Sequence, residues 1–421
     1  MSFLTAATTL LFLLAGAVAA LQSPDTVFLE KQQASSLISR QKRNQPGSNL
    51  EKECMEKLCT YDEARRFFQD TYRTDIFWSV YVDGDQCVSN PCQNGALCSD
   101  SVGGYDCVCK SGFSGIHCEK DETLCILEKD KGCSQFCKPG YASYECSCAL
   151  GWKLSRTDKN KCEPAVTYPC GKVNALSLSS WEDRKRTNVN SNFQGLSCTS
   201  TECPWQALLR SSESAGYCGG VILKTNLVLT SAQCANKYKY FQVVVGKRTT
   251  NTEDGEQSRE VKLIHVHPSY VQDRPEYDLA VVELRDPITL KREVIPVCLP
   301  EKDFADNVLM TAGAMVTGWK ESQDGSAFQG PLTLNHLDYD SLSNCVAAHP
   351  DLMTNKMGCT TRRPNADCSM SSGSPVVTLH RDVFFLTGVI TKAPDADCTK
   401  GYIFQKVSRH LGWLLPIMGS R

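Results

Sequence analysis

Three kinds of side chain in this sequence of 421 residues could do chemistry. Ser372 lies in the run Ser371-Ser372-Gly373-Ser374-Pro375, and its hydroxyl could act as a nucleophile if a base took its proton. Many carboxylates stand between Glu51 and Asp100, and their oxygens are the hard ligands that calcium prefers. The 24 cysteines could form disulfides or hold a metal. Each possibility depends on the elements that bring these side chains together.

The cysteines indicate the compartment in which the protein folds. Their number is even and they occur in clusters, which is typical of disulfide-bonded proteins in an oxidising compartment. Zinc sites are disfavoured because the sequence contains no Cys-x-x-Cys pair. The formal net charge of -2 gives no indication of nucleic-acid binding.

The amino-terminal residues predict export from the cell. Residues 1–20 form an apolar run that ends in Ala17-Val18-Ala19-Ala20, as in a secretory signal peptide. Residues 21–43 close in Arg40-Gln41-Lys42-Arg43, a dibasic site that convertases of the secretory pathway would cleave. We therefore expect a propeptide over residues 21–43, a mature chain that begins at Asn44, and an extracellular protein of the plasma.

Residues 44–85 form a charged segment that is rich in aromatic side chains. It contains Cys54, Cys59 and the run Tyr61-Asp62-Glu63-Ala64-Arg65, and it resembles the Gla domain of the vitamin K-dependent clotting proteins. The resemblance implies that carboxylation, which requires vitamin K, makes γ-carboxyglutamates that bind calcium and anionic phospholipid. It also implies a disulfide between Cys54 and Cys59. The glutamates at matching positions are Glu51, Glu53, Glu56 and Glu63.

This segment departs from the family pattern in ways that weaken its expected affinity for lipid. Fewer residues separate Arg43 from Cys54 than in the family, and the missing part carries two Gla positions and the apolar side chains that enter the membrane. Lost dicarboxylates remove calcium ligands, and added cations oppose calcium binding. A mis-assembled gene model explains the short segment equally well, and a solvated charged helix is the simplest alternative. Other usual Gla positions hold Lys57, Asp62, Arg66 and Gln69.

Two six-cysteine units follow, over residues 86–119 and 121–163. Spacing alone allows about 15 pairings in each unit. A single residue precedes each fifth cysteine and a Gly-aromatic turn follows, at Gly112-Phe113 and Gly151-Trp152, which is similar to EGF modules. The pairings implied by that resemblance are Cys87-Cys98, Cys92-Cys107, Cys109-Cys118, Cys125-Cys137, Cys133-Cys146 and Cys148-Cys162.

The first of these modules also matches the calcium-binding pattern of EGF domains. The implied calcium ligands come from Asp83, Gly84 and Gln86 before the module and from Asp100 in its hairpin. The same resemblance makes Asp100 a candidate for β-hydroxylation and Ser89 a candidate for O-glucosylation. The alternative is that these acidic residues belong to turns that bind nothing.

A linker is predicted over residues 164–191, and residues 192–421 contain short β-branched runs broken by turns, which favours an all-β domain. Cys218-Gly219-Gly220, Asp278-Leu279-Ala280 and Thr317-Gly318-Trp319 make this block similar to trypsin-like proteases. The expected fold class is multi-domain, with a small helical Gla domain, two disulfide-rich EGF modules and an all-β trypsin-like double barrel of the chymotrypsin fold. The disulfides implied in this part are Cys170-Cys298, Cys198-Cys203, Cys218-Cys234, Cys345-Cys359 and Cys368-Cys398.

The protease resemblance implies catalytic positions that are degenerate in this chain. Asp278 and Ser372 match the family's acid and nucleophile, but Gln233 stands where the histidine belongs, and an amide cannot carry the proton at neutral pH. Met370 replaces the glycine of the oxyanion hole, and Ser371 replaces the aspartate that pairs with a new amino terminus. The segment 191–195 lacks the cleavage site that activation requires. A filled specificity pocket is expected from Ala366, Thr391-Lys392-Ala393 and Tyr402.

The predicted function is therefore binding without hydrolysis. The family's inactive member implies a cofactor that binds a serpin and promotes inhibition of activated factor X on phospholipid with calcium. An inactive paralogue of factor VII or factor X that competes for tissue factor or substrate is the alternative. An active protease of unusual type, using another of the histidines, is the third. Those histidines are His265, His267, His336, His349, His380 and His410.

Overall fold

The computed structural model describes residues 59–101, 104–126, 132–174, 196–199, 201–213, 215–322, 327–361, 370–392 and 398–419. These residues fall into two compact units. The smaller unit includes residues 59–91 and 98–106, and the larger includes residues 92–97 and the chain from residue 107 onward. The predicted signal peptide, the propeptide, Glu51, Glu53, Glu56 and the Cys54-Cys59 and Cys368-Cys398 pairings lie wholly or partly outside the described residues.

Two helices, α1 (Tyr61–Phe68) and α2 (Thr71–Asp83), begin at side-chain caps. Thr60 and Glu63 form a reciprocal capping box at the start of α1, and Asp70 caps α2 by accepting from the Arg73 amide. The helices pack through aromatic rings, which include Phe68 of α1 and Phe77 of α2 with centroids 5.3 Å apart. The predicted small helical domain is confirmed in these residues.

The EGF-like region consists of short antiparallel ladders held by disulfides. The strands are β1 (Leu97–Ser101), β2 (Gly104–Val108), β3 (Phe113–Ser114), β4 (Lys120–Asp121), β5 (Phe136–Lys138), β6 (Glu145–Ser147), β7 (Trp152–Leu154) and β8 (Cys162–Pro164). Such short strands bury little surface, so cross-links must supply much of their stability. The structure contains all six disulfides that the resemblance implied here.

The first half of the trypsin-like region is a closed six-stranded barrel in the order β10-β11-β12-β15-β14-β13. Its interior is filled by β-branched and leucine side chains, such as Val228 and Val243, that are fully buried. Helix α3 (Ala232–Lys237) follows the third strand. The strands are β10 (Gln206–Ser211), β11 (Gly216–Lys224), β12 (Leu227–Thr230), β13 (Phe241–Val245), β14 (Gln257–Val266) and β15 (Ala280–Leu284).

The second half is a seven-stranded antiparallel sheet in the order β18-β21-β20-β19-β16-β17-β9. The residues after β17 and β18 meet through a bridge between Tyr339 and Thr360, where the Asp340 amide donates to the Cys359 carbonyl at 3.0 Å, and the predicted trypsin-like barrel fold is confirmed. Helices α4 (Lys302–Asn307), α5 (Leu342–Ala348) and α6 (Leu411–Met418) lie around it. The strands are β9 (Leu196–Ser197), β16 (Ala314–Glu321), β17 (Phe328–Leu337), β18 (Met357–Cys359), β19 (Pro375–His380), β20 (Val383–Ile390) and β21 (Ile403–Lys406).

One hydrophobic cluster joins the two halves. Trp205 of the first half lies 4.8 Å from Phe384 of the second, measured between ring centroids, and both side chains are fully buried. Part of the predicted linker belongs to this cluster, because the Cys170–Cys298 disulfide anchors the chain there and Val173 is buried beside it. The described part of the linker is therefore held against the trypsin-like region by a disulfide and by the burial of Val173.

Among the described residues, no helix is both long enough and apolar enough to span a membrane.

Candidate functional site

Gln233 lies at the start of α3, immediately after strand β12. Ser231 caps this helix by accepting a hydrogen bond from the Cys234 amide at 3.0 Å. The Cys218–Cys234 disulfide ties the helix to strand β11. The amide side chain of Gln233 is exposed at the rim of the cleft, so the elements that would position a base are present and carry an amide instead.

Asp278 is buried next to this position, with 3 % of its surface exposed. Its Oδ1 accepts the backbone N–H of Gln233 at 2.8 Å, and its Oδ2 accepts the hydroxyl of Thr391. Burial raises the pKa of the Asp278 carboxyl, and these hydrogen bonds act in the opposite direction. The carboxylate is therefore satisfied by Thr391 and by the helix backbone, without an imidazole.

Ser372 lies on the loop before strand β19 and lines the cleft. Its hydroxyl donates to Ser231 Oγ at 3.0 Å, and its carbonyl accepts the Gly219 amide at 3.1 Å. The loop turns at Gly373, whose φ of 81° is left-handed. A Cβ at Gly373 would lie 2.2 Å from the Gly219 carbonyl oxygen, so only glycine fits. The nucleophile-like serine is thus held rigidly, with another hydroxyl as its partner.

The residues around Ser372 fill space instead of leaving it open. Met370 is buried with 3 % exposure and belongs to a hydrophobic cluster that includes Tyr402, Ile390 and Phe404. Ser371 is buried as well, and its hydroxyl is 3.2 Å from Ser374 Oγ. Met370 and Tyr402 therefore pack into the protein interior, whereas Ser371 is buried at the wall of the cleft. Ala366 lies outside the described residues.

A cleft of about 550 Å³ opens above these groups. An ion pair between Lys392 Nζ and Glu321 Oε2, 2.5 Å apart, lies along it. The described residues that line the cleft include no histidine; they are Tyr217, Cys218, Gln233, Cys234, Asn236, Lys237, Tyr270, Gln272, Asp273, Glu321, Ser371, Ser372 and Lys392. The histidines His267 and His410 instead pack together elsewhere, with ring centroids 5.2 Å apart.

Two hydroxyl groups in this site, those of Ser231 and Thr391, have partners that the sequence does not predict. Ser231 receives the Ser372 hydroxyl, and Thr391 donates to Asp278. Both residues were visible in the sequence, Thr391 within the altered Thr391-Lys392-Ala393 segment. Their pairing depends on contacts between residues more than a hundred positions apart, which periodicity does not reveal.

The predicted calcium site of the first EGF module is assembled in part. The backbone N–H of Gln86 donates to Asp100 Oδ1 at 2.9 Å, which brings two of the implied ligand residues together across the module. Gly84 is exposed beside them. Calcium binding at these residues stays a prediction, and no group of three His, Cys, Asp or Glu side chains that could hold a metal stands among the described residues. Asp83 contributes its backbone to helix α2, and its side chain is not described.

Two further predicted site residues, Glu63 and Ser89, form hydrogen bonds with their neighbours. Glu63 uses its carboxylate in the capping box, where Oε2 accepts the Thr60 amide at 2.8 Å. This occupies an oxygen that the Gla prediction assigns to calcium. Ser89 is exposed at the end of a short 3₁₀ helix, and its hydroxyl donates to the Gln86 carbonyl at 3.3 Å, which leaves it accessible for a sugar.

Comparisons with known proteins match three parts of the chain. The trypsin family model matches residues 192–414, the model for the vitamin K-dependent carboxylation/gamma-carboxyglutamic (GLA) domain matches residues 45–82, and the EGF-like domain model matches residues 87–117. Among solved structures, the chain is similar to neuropsin, a serine protease of mouse brain. The two are 25% identical, the match covers 54% of this chain and 99% of neuropsin, and the TM-score is 0.46.

These matches bear on calcium, on the compartment of the protein and on its family. Gla and EGF-like domains are typically calcium-binding, and the Gla domain depends on vitamin K. Together with ten described disulfides they indicate a secreted, extracellular protein. With a trypsin model that matches more than half of its length, following Gla and EGF domains, this chain belongs to the trypsin family and has the architecture of a vitamin K-dependent coagulation-type protein.

Proposed function

We propose that this protein is a non-enzymatic coagulation regulator of the protein Z type, a pseudoprotease cofactor of the plasma. Its trypsin-like region binds a serpin, the protein Z-dependent protease inhibitor, and presents it to activated factor X on anionic phospholipid with calcium. The proposal rests on the residue at position 233. The backbone N–H of Gln233 donates to Asp278, and its side-chain amide lines the cleft.

The loss of proton transfer supports a binding role. Ser372 donates to Ser231, whose hydroxyl cannot take up a further proton at neutral pH, and the described residues that line the cleft include no histidine. Removal of the base alone lowers turnover by about a million-fold in a related triad. The buried Met370 stands where an oxyanion hole needs a glycine, so the remaining stabilisation is also compromised.

The cleft itself also favours binding of something other than an ordinary peptide substrate. Lys392 follows Thr391 at the end of strand β20 and forms an ion pair with Glu321 at the end of β16. Tyr402 and Met370 contribute to a buried cluster below. A substrate side chain would have to displace these packed groups before it could enter a specificity pocket.

Labelling of Ser372 tests the absence of catalysis. A fluorophosphonate probe reacts only with a serine whose proton is taken by a base, so we expect no labelling of the purified chain under conditions that label active trypsin fully. Labelling that disappears in Ser372→Ala would overturn the proposal.

Partner binding tests the cofactor role and separates it from the decoy alternative. Capture of the serpin, together with faster inhibition of activated factor X on phospholipid, is expected. Binding of tissue factor without any effect on the serpin would instead support an inactive factor VII-like or factor X-like competitor.

A further inference from the structure

A band of lysines and tyrosines runs from the cleft to a second groove on the first barrel. We define the Lys–Tyr band as Asn236-Lys237-Tyr238-Lys239-Tyr240, which comprises the end of helix α3 and the three residues after it and is exposed at every position. Asn236 and Lys237 line the cleft. Lys239 and Tyr240 line a neighbouring groove of about 700 Å³. The band therefore connects two concave surfaces.

The two lysines of the band carry uncompensated charge. Lys237 Nζ lies 5.6 Å from the ring centroid of Tyr217, and Lys239 Nζ lies 5.3 Å from that of Tyr240. Neither lysine has a carboxylate partner among the described residues, whereas the nearby cations Lys262 and Arg285 are paired with Glu283 and Glu260. Aromatic faces orient ammonium groups without neutralising them, so both remain free to meet an anion.

Tyr217 supplies an additional hydrogen-bond donor at the cleft end of the band. Its ring packs edge-on against Tyr238 at 4.6 Å, and 4 % of its surface is exposed. Its hydroxyl is buried and has no hydrogen-bond partner among the described residues. An unpaired buried hydroxyl costs stability, and an incoming acceptor would remove that cost.

The other groove provides apolar surface. Tyr240 is 72% exposed and Leu263 is 50% exposed, and both line it. Glu260 lines it too but is paired with Arg285, so the observation that favours a polypeptide over a sulfated polysaccharide is the exposed apolar surface, which a polysaccharide has no apolar side chain to cover. A polypeptide that combines carboxylates with an aromatic or aliphatic side chain matches all of these features. Exposed tyrosines beside cations are also typical of interface residues that contribute much of the binding energy.

We propose that the Lys–Tyr band, with Tyr217 and the Leu263 groove, binds an acidic, extended segment of a partner protein. Carboxylates of the segment contact Lys237 and Lys239, one accepts the Tyr217 hydroxyl, and an apolar side chain rests on Tyr240 and Leu263. This site is independent of the serpin function proposed above.

A synthetic peptide tests the proposal directly. A fluorescein-labelled Asp-Glu-Phe-Asp-Glu-Leu-Asp peptide is titrated with the full chain, and binding is followed by fluorescence anisotropy at low and high salt. We expect saturable binding that weakens with salt and that falls at least tenfold in Lys237→Glu/Lys239→Glu. Tyr217→Phe should weaken binding about threefold.

The control carries the same change of charge elsewhere. Lys153→Glu/Lys302→Glu alters two exposed lysines away from the band and should leave binding within twofold of the unaltered chain. Equal binding of the matching Asn/Gln peptide, or unchanged binding in the Lys237→Glu/Lys239→Glu variant, would overturn the proposal. Tighter binding of a heparin fragment than of the peptide would also overturn it, in favour of a polysaccharide site.

Serpin capture is measured on the same proteins. If the unaltered chain fails to capture the serpin but binds the peptide through the band, the cofactor proposal fails and this one stands. If the unaltered chain captures the serpin but does not bind the peptide, the site proposed for the Lys–Tyr band fails and the cofactor proposal stands.

Discussion

Gln233 presents an amide at a place where Asp278 could orient an imidazole. Asp278 already accepts the backbone N–H of residue 233, as it would in a trypsin-like protease, and the Thr391 hydroxyl holds its second oxygen. The acidic half of the proton-transfer system is thus intact. A histidine would restore the base but would change neither Met370 nor Ser371.

Gln233→His should therefore leave hydrolysis of an arginyl p-nitroanilide at background. An imidazole accelerates the reaction only if developing negative charge is also stabilised, and the protease resemblance puts Met370 at the position of the oxyanion-hole glycine. Release of p-nitroaniline is measured over hours with Gln233→His/Ser372→Ala as the control. Turnover by the single variant that the double variant lacks would show that the rest of the site is competent.

The buried ion pair of Lys247 allows a second prediction, which concerns the free energy of unfolding. Its side chain is 1% exposed, and its Nζ pairs with Glu256 and donates to the Asn251 carbonyl at 2.6 Å. Lys247→Met leaves Glu256 buried with only the more distant Arg210, at 3.5 Å, as a cationic partner. We expect a loss of about 3 kcal/mol from the free energy of unfolding.

The matched control is Lys262→Met, which removes the lysine of an exposed pair with Glu283. That change should cost less than about 1 kcal/mol, because exposed pairs are screened by water. Urea unfolding of the first barrel gives both values. Equal losses of unfolding free energy in the two variants would show that the burial of Lys247 does not make its ion pair more important for stability.

At the scale of elements, the end of strand β14 and the start of helix α6 meet in a buried pair of histidines. His267 and His410 pack edge-on, and Trp413 lies 4.9 Å from His267. Burial lowers the pKa of His410 to about 4, with further lowering by His267 and Lys356. Burial and Lys356 also lower the pKa of His267. Both imidazoles are therefore neutral in the folded protein at neutral pH.

This pair should make the trypsin-like region sensitive to acid. The unfolded chain binds protons near pH 6.5 and the folded pair only at lower pH, so its contribution to stability is complete above about 6.5 and is lost as pH falls toward about 4. His410→Gln should remove about 2 to 3 kcal/mol of this pH dependence. Thermal melts between pH 7.5 and 4 measure the slope, and parallel curves for the two proteins would contradict the assignment.

Elements that depend on local pattern were predictable from the sequence, and those that depend on distant contacts were not. The strand runs around Val243 and Leu386 and the disulfide spacing of Cys218 and Cys234 are local signals, and the structure has strands and a disulfide there. The Ser231–Ser372 hydrogen bond joins residues 141 positions apart, so no periodicity reports it. Val173 was assigned to a linker, yet the Cys170–Cys298 cross-link draws it into the core.

At the scale of the whole molecule, the cofactor proposal assigns localisation to the Gla and EGF domains and partner recognition to the trypsin-like region. Gla and EGF domains are typically calcium-binding, and the trypsin-like region offers the cleft and the Lys–Tyr band. Confinement of two partners to one surface raises their effective concentration by a large factor without any new contact. A cofactor that acts without cleaving a bond, as proposed here, requires this gain.

The rate at which the serpin inhibits activated factor X should therefore rise at least about tenfold when the full chain, calcium and phosphatidylserine vesicles are all present. Protein made without vitamin K is the control, since its glutamates at 51, 53, 56 and 63 carry single carboxylates that bind calcium weakly. We expect a smaller gain than a complete Gla domain provides, because Lys57 and Arg66 stand at positions that usually hold dicarboxylates. An equal rate on phosphatidylcholine vesicles would show that the surface plays no part and that the modules act independently.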